Sequence, residues 1–237
     1  MKFNVYSYSD KGNRENNEDS VKTLQVDDEL IAVVADGLGG YQSGKVASDI
    51  AVTTIMDSMQ EKIHSEEKLL KTIEIINTKI RQQHKKRNMM STIAVLWIQL
   101  KKFTATAINV GDTRIYQFRD GKVIFQSVDH SVAQMAVFVG EITESEIRNY
   151  AGRNKLIRAL GADAKVKVEC ESLNIRTGDS FLLCSDGFWE LISEDNMIKT
   201  LQKASSPKEW AESMQYLIEN SECSDKDNNS AVVVMVQ

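Results

Sequence analysis

Hydrophobic and polar residues follow one another along this chain with two different periods. Apolar residues recur every three or four positions over about 44–60 and 65–86, which predicts two amphipathic helices. Runs rich in valine, isoleucine and aromatic residues, bounded by polar or glycine-containing pairs, predict strands. The predicted strands cover 3–8, 20–26, 29–35, 91–100, 103–110, 113–119, 122–128, 165–173, 180–185 and 231–236.

Short polar pairs separate several of these strands. Asp27-Asp28 and Asp120-Gly121 each provide a two-residue turn, and Asp-Gly is a strong hairpin signal. The four strands between 91 and 128 are therefore expected to form an antiparallel meander. Helical segments are expected near 131–160, 194–203 and 207–220. This order of elements favours an α+β layered protein over a regular βαβ alternation.

Composition narrows the class of protein. At 237 residues, with a single proline and no Gly/Ser-rich tract, the chain is expected to form one domain, 1–237. A net charge of −5 argues against nucleic acid as the main partner, because phosphate backbones are bound by basic surfaces. No apolar run approaches the roughly 18 residues needed to span a membrane, and no secretory signal is recognisable. Three cysteines without CxxC spacing are typical of reduced thiols, so we expect a cytoplasmic protein.

Acidic side chains stand where apolar runs end. Asp36-Gly37 follows the run 30–35, and Asp186-Gly187 follows the run 181–184. Other acidic residues beside Gly, Asn or small polar residues are Glu18, Asp19, Asp112 and Asp227. Carboxylate and carbonyl oxygens are the ligands that Mg²⁺ and Mn²⁺ prefer, whereas the histidines and cysteines lack zinc-site spacing. One Asp-Gly alone is typical of a turn, but the set together predicts an oxygen-lined metal centre assembled by the fold.

Eight short segments follow one another in a fixed order along most of the chain, and five of them contain these acidic residues. They are 12–19 (GNRENNED), 35–40 (ADGLGG), 91–92 (ST), 109–114 (NVGDTR), 129–131 (DHS), 158–161 (RALG), 185–189 (SDGFW) and 227–230 (DNNS). Together they resemble the motifs of the type 2C, metal-dependent protein serine/threonine phosphatases. Leu38 stands where many eukaryotic relatives carry a histidine proposed as the general acid, so the resemblance is to the bacterial, single-domain branch of the family.

The resemblance implies a fold and a set of site residues. The fold would be a four-layer α-β-β-α sandwich, with two antiparallel sheets packed face to face between helix pairs and a flap segment at about 131–160. Asp36 would bridge two metal ions, Glu18 and Asp19 would hold metal-bound waters, and Asp112 with Asp186 would hold a third ion. The metal residues implied are Asp36, Gly37, Asp186, Asp227, Asp112, Glu18 and Asp19.

The implied activity is hydrolysis of phosphoserine and phosphothreonine in proteins. Two Mn²⁺ or Mg²⁺ ions would activate the attacking water. Asp36 and Arg14 would be catalytic, with the guanidinium of Arg14 binding the substrate phosphate. Because Leu38 cannot donate a proton, the leaving group would take its proton from water or from another residue. The implied partners are phosphorylated proteins and a cognate serine/threonine kinase, with no membrane or nucleic acid, and the protein is expected to be a monomer.

Two other functions fit parts of the sequence. Residues 39–45 match the GxxxxGK pattern of phosphate-binding loops, but Val46 replaces the Ser or Thr that binds Mg²⁺ in such loops. A catalytically weak pseudophosphatase that only binds phosphoproteins would keep the fold. Degenerate members of the family usually lose ligand aspartates, and this chain retains all the matching positions.

Overall fold

The computed structural model describes residues 1–39, 43–60, 65–87 and 89–237. The turn residues Gly40, Tyr41 and Gln42 of the two glycine-rich patterns lie outside the described residues, as does His64. In the described part, the strands are β1 (Phe3–Asp10), β2 (Ser20–Val26), β3 (Glu29–Ala35), β4 (Gly37–Leu38), β5 (Met90–Ser91), β6 (Ile93–Gln99), β7 (Thr104–Val110), β8 (Arg114–Arg119), β9 (Lys122–Gln126), β10 (Glu169–Asn174), β11 (Ser180–Cys184) and β12 (Asn229–Val236).

The helices in the described part are α1 (Ser43–Met59), α2 (Glu66–Arg87), α3 (Val132–Phe138), α4 (Asp186–Trp189), α5 (Glu194–Leu201) and α6 (Pro207–Glu219), with 3₁₀ turns at Leu100–Lys102 and Glu144–Asn149. Four of these six helices, α1, α2, α5 and α6, lie close to predicted helical segments, α3 is shorter than its predicted segment, and α4 was not predicted. Ser193 and Ser206 cap α5 and α6 by accepting a hydrogen bond from a backbone N–H of the first turn. In the described residues, none of the helices is long and apolar enough to cross a membrane.

Two five-stranded antiparallel sheets form the centre of the molecule. The first has the strand order β1-β12-β11-β8-β9 and the second β10-β7-β6-β3-β2, while β4 and β5 form a separate two-residue ladder. Both predicted two-residue turns are confirmed, since Val26 pairs with Glu29 and Arg119 with Lys122. The antiparallel sheets do not suit the parallel sheet of a phosphate-loop hydrolase.

Three apolar clusters separate four layers, which confirms the predicted sandwich. On β3, Leu30, Ala32 and Val34 face the other sheet, where they join Phe181, Leu183, Val232 and Val234. The alternate residues Ile31, Val33 and Ala35 face α1 and α2. The outer side of the first sheet packs against α4, α5 and α6. β3 is apolar at almost every position because both of its faces are buried.

The predicted meander between 91 and 128 is wrong. β6 pairs with β7 in the second sheet, and β8 pairs with β9 in the first, so the chain crosses between the sheets at 111–113. Gly111 makes this crossing with φ of +100°, and a Cβ at its position would meet the Thr92 side chain. An apolar strand pattern shows that a strand is buried, but it does not show which sheet the strand joins.

The segment 131–160 is less helical than predicted. Beyond α3 and the 3₁₀ turn at Glu144–Asn149 it consists of turns and isolated bridges. Ser131 pairs with Leu156, and Leu160 pairs with Ser91, so the flap segment is attached at both ends to the body of the protein. The strand predicted at 165–173 begins only at Glu169.

Candidate metal centre

The ends of strands from both sheets surround a cavity of about 430 Å³. It lies where β3 passes into β4, where β7 crosses to β8, and where β11 enters α4. The predicted site residues that line the cavity are Arg14, Glu18, Asp36, Gly37, Asp112, Asp186 and Asp227. Asp19 is buried beside them, with its carboxylate in electrostatic contact with Asp36. The fold therefore brings together every residue of the predicted set.

The backbone of Asp36 is fixed by residues 91–92. Thr92 Oγ1 accepts a hydrogen bond from the Asp36 N–H at 3.0 Å, and the Thr92 N–H donates to the Asp36 carbonyl at 2.8 Å. Ser91 Oγ donates to the same carbonyl at 2.8 Å. The hydroxyl of Thr92 is also hydrogen-bonded to that of Thr113, beside Asp112. These two small polar residues thus tie the Asp36 turn to the loop that contains Asp112.

Gly37 lies in a place that has no room for a side chain. A Cβ there would collide with the carbonyl of Gly44 at the start of α1, and one at Gly44 would collide with Gly37 in return. The Glu18 side chain lies against the same helix start, where the N–H groups of Gly44 and Lys45 donate to its carboxylate. The Glu18 N–H donates to Asn228 at 2.7 Å. The close approach of the two backbones therefore requires glycine at 37.

Asp186 and Asp227 are oriented by local backbone contacts. The N–H of Gly187 donates to Asp186 Oδ1 at 2.7 Å, and the N–H of Asn228 donates to Asp227 Oδ1 at 2.8 Å. A Cβ at Gly187 would collide with the carbonyl of Asn228, so the start of α4 lies directly against the start of β12. This contact holds the two carboxylates beside each other.

Four carboxyl groups in and beside the cavity have raised pKa values: Asp19, Asp36, Asp112 and Asp186. The pKa of Asp36 is raised far above its ordinary value, mainly by burial and next by the charge of Asp186. The pKa of Asp186 is raised in the same way, mainly by burial and next by the charge of Asp112. Burial and the charge of Asp129 raise the pKa of Asp112 to about 7. Burial raises the pKa of Asp19 to about 6. A divalent cation bound among these oxygens would favour their charged forms.

The donor set fits hard divalent cations. Asp19 Oδ2 accepts a hydrogen bond from Ser185, but its buried Oδ1 has no hydrogen-bond partner among the described residues. That oxygen is free to accept from a water on a bound ion. Within 1–39, 43–60, 65–87 and 89–237, no three Asp, Glu, His or Cys side chains enclose an ion by themselves. An ion would therefore take further oxygens from the Gly37 carbonyl and from water, as Mg²⁺ commonly does.

Arg14 lies at the mouth of the cavity and is paired with Asp227. Its Nε and Nη2 donate to the two oxygens of Asp227 at 2.9 and 3.0 Å, and Asp225 is 3.8 Å away. The Arg14 side chain keeps 46% of its surface exposed. Its guanidinium therefore faces both a predicted metal ligand and the solvent from which a phosphate would enter.

Comparison with known proteins identifies the family. The profile of the family described as protein phosphatase 2C matches residues 8–228. The chain belongs to the protein phosphatase 2C family. Among curated relatives, the serine/threonine phosphatase stp of Listeria monocytogenes is 33% identical over 215 residues, which are 86% of this chain and 85% of that protein. PstP of Mycobacterium tuberculosis is 30% identical over 233 residues, 95% of this chain and 43% of that longer protein.

Solved structures of the protein phosphatase 2C family superpose over the whole chain. A serine/threonine phosphatase of S. agalactiae has a TM-score of 0.91 at 24% identity and covers 100% of both chains, which supports the fold. The M. tuberculosis phosphatase PstP/Ppp has a TM-score of 0.88 at 27% identity and covers 99% of both chains. A PstP catalytic domain in complex with two manganese ions has a TM-score of 0.85 at 26% identity, again covering 99% of both chains.

These similarities confirm three predictions. The resemblance to bacterial type 2C phosphatases is correct, the four-layer sandwich is correct, and the chain is a serine/threonine protein phosphatase of a metal-dependent family. The roles of individual side chains stay predictions, and the structure contributes their positions.

The sequence analysis assigned no role to three residues that the structure places at the site. Asn154 and Leu156 of the flap segment line the cavity together with the aspartates. Trp189 lies behind it, with its indole N–H donating to the Asp112 carbonyl at 2.8 Å. Trp189 belongs to the motif 185–189, and Asn154 follows an arginine in the flap segment, so the sequence indicated that these regions lie near the site. It did not indicate which of their side chains would face the cavity.

Proposed function

We propose that this chain removes phosphate from phosphoserine and phosphothreonine of proteins with two Mn²⁺ or Mg²⁺ ions bound in the 430 Å³ cavity. The observation that carries the proposal is the convergence of Asp36, Asp112, Asp186 and Asp227, from four remote parts of the chain, on one cavity. Burial and neighbouring carboxylates raise the pKa of Asp36 and of Asp186. Asp36 would be shared by both ions. Gly37, Asp186 and Asp227 would complete the set, and Asp112 with Asp186 would hold a third ion.

The residues of the chain have separate tasks in this reaction. When bound, ions of this kind provide a nucleophilic water near neutral pH and neutralise charge on the phosphate. Glu18 and Asp19 would orient water through their carboxylates, and the unpartnered Oδ1 of Asp19 supports this role. Arg14 would donate two hydrogen bonds to the phosphoryl oxygens as a planar fork. Leu38 lines the cavity with an apolar side chain and cannot protonate the leaving oxygen.

Substrate range and cellular setting are part of the same proposal. Asn154 and Leu156 of the flap segment line the cavity, so they would contact a phosphorylated side chain presented by a protein. A serine/threonine kinase is the expected source of such substrates. All three cysteines are free thiols, as in a reducing compartment, which supports a cytoplasmic location. We also propose that the enzyme acts as a monomer.

Hydrolysis of a phosphothreonine peptide tests the proposal. We expect turnover with Mn²⁺, none in EDTA, and recovery when Mn²⁺ is added back. Asp36→Asn should lower kcat at least 100-fold, because it removes the shared charge. Asp28→Asn is the matched control, since Asp28 lies in the β2–β3 turn, pairs with Lys101 and is not among the residues that line the cavity in the described part of the chain. Near-normal turnover of Asp36→Asn would defeat the shared-ligand role, and a folded wild type that binds the peptide without hydrolysing it would favour the pseudophosphatase.

A further inference from the structure

Lys45 ends the GxxxxGK pattern of residues 39–45, and the structure gives this lysine partners within the protein. In a loop that binds a nucleotide phosphate, the lysine at this place reaches the phosphate. Here it lines a second cavity, of about 440 Å³, between β1, β2 and α1. Its Nζ donates to the Asp19 carbonyl at 3.0 Å, to Ser20 Oγ at 2.8 Å and to Asp49 Oδ1 at 2.8 Å. An ammonium has three N–H donors, so these contacts leave none for a phosphate.

The first two turns of α1 hold the residue before Asp19 as well. The Oγ of Ser48, which is fully buried, donates to the Glu18 carbonyl at 2.5 Å. The N–H groups of Gly44 and Lys45 donate to the Glu18 carboxylate. Both carbonyls of the Glu18-Asp19 pair, and one of its carboxylates, are therefore bound by the start of α1.

Asp49 holds the Lys45 side chain in this position. Its Oδ1 accepts from Lys45 Nζ and, at 2.6 Å, from Ser20 Oγ. Lys45 and Asp49 are 40% and 53% exposed, and an exposed pair four residues apart on a helix contributes little to stability by itself. The bond from Nζ to the Asp19 carbonyl differs, because Asp19 is 2% exposed and a buried carbonyl that loses its partner is costly.

From these contacts we propose that Lys45 and Ser48 are positioning residues for the two water-binding carboxylates. They fix the main chain of Glu18 and Asp19, and the main chain sets where the carboxylates point. Asp19 depends on this most, since Ser185 binds its Oδ2 at 2.8 Å while Oδ1 has no hydrogen-bond partner among the described residues. Side chains behind a metal site must be held in place to support it. The inference rests on the water-orienting role of Glu18 and Asp19 in the proposed function.

Hydrogen exchange in EDTA tests the positioning without any metal ion. Lys45→Met removes all three donors but keeps a long side chain on α1. Amide exchange over 18–20 should become about 10-fold faster than in the wild type, because this segment opens more often once α1 releases it. Lys22→Met is the matched control, since it removes one lysine charge from the lining of the same cavity at an exposed position of β2.

Mn²⁺ binding and turnover show whether the positioning serves the metal centre. Titration calorimetry on the full chain should give an Mn²⁺ affinity about 10-fold weaker in Lys45→Met, the lower end for losing a group behind a metal site. With a phosphothreonine peptide, kcat should fall while KM stays within about 2-fold, because the role of Lys45 involves no contact with the peptide. Asp49→Asn should have a smaller effect, since Nζ keeps its bonds to Asp19 and Ser20.

The outcomes separate this inference from the proposed function. If Lys45→Met matches Lys22→Met in exchange rate and in Mn²⁺ affinity while the wild type is active, the positioning role is wrong and the proposed function stands. A raised KM with unchanged kcat would likewise overturn it. A wild type that binds no Mn²⁺ and hydrolyses no peptide would overturn the proposed function and this inference with it. If Lys45→Met fails to fold, the same measurements on Ser48→Ala, which removes only a hydroxyl, decide the question.

Discussion

Arg114 and Asp129 form a buried ion pair just before the flap segment, and breaking it should lower the free energy of unfolding. Their side chains are 3% and 1% exposed. Arg114 Nε donates to Asp129 Oδ1 at 2.9 Å, and Nη2 donates to Oδ2 at 2.6 Å. Asp129→Asn keeps the shape of the side chain but leaves the guanidinium buried without its main counter-charge.

The magnitude follows from the surroundings of the guanidinium. Removing one partner of a buried pair destabilises a protein by roughly 3–5 kcal/mol, because a charge stays buried and unpaired. Glu194 lies 3.7 Å from Arg114 and compensates part of that charge, so we expect a loss of about 3 kcal/mol, at the lower end. For a chain of this size each kcal/mol lowers Tm by about 2–4 °C, which gives a decrease of about 6–12 °C.

Thermal unfolding followed by circular dichroism in EDTA at pH 7.5 measures the effect. The matched control is Glu67→Gln, which breaks the exposed pair of Glu67 and Lys71 on α2, at 77% and 68% side-chain exposure. That loss should leave Tm almost unchanged, because solvent screens an exposed pair on one helix face. Replacing Arg114 by Met as well should recover part of the stability lost in Asp129→Asn. Equal Tm values for Asp129→Asn and Glu67→Gln would refute the reasoning.

Three further predictions concern single residues. Arg14→Ala should raise KM for a phosphopeptide about 100-fold with a smaller change in kcat, because each of two charged hydrogen bonds contributes roughly 1.5 kcal/mol. An unchanged KM would restrict Arg14 to its pairing with Asp227. Gly37→Ala should lower the free energy of unfolding by more than about 2 kcal/mol, since its Cβ meets the Gly44 carbonyl; a Tm equal to the wild type would contradict that packing. Burial and then the charge of Arg158 lower the pKa of His130 from 6.5 to about 4 in the folded protein. The unfolded chain therefore protonates His130 at a higher pH than the folded chain, and the free energy of unfolding should fall as the pH drops from 6.5 to 4. An identical pH–Tm profile for His130→Gln would exclude this source of acid sensitivity.

The sequence by itself predicted the elements that depend on local pattern. The helical period over 44–60 and 65–86 became α1 and α2 within about a turn, because an amphipathic face is visible in the order of residues alone. The Asp27-Asp28 and Asp120-Gly121 turns were predictable since Asp27, Asp120 and Gly121 adopt the positive φ that tight hairpins require. Asp36 and Asp186 were found because each follows an apolar strand and precedes glycine, and Asp112 and Asp227 because each lies beside glycine, asparagine or a small polar residue.

Tertiary structure alone decided which strands became neighbours and which side chains met. The strands between 91 and 128 divide between two sheets at Gly111. Pairing in a second sheet competes with pairing between neighbouring hairpins, and the pattern of residues along a strand does not show which of the two is more favourable. The pairing of Arg14 with Asp227 joins residues 213 positions apart. The contacts of Trp189 with Asp112 and Arg148 likewise bring together three remote segments. Sequence fixes the chemistry that is available, whereas long-range packing fixes the distances at which that chemistry can act.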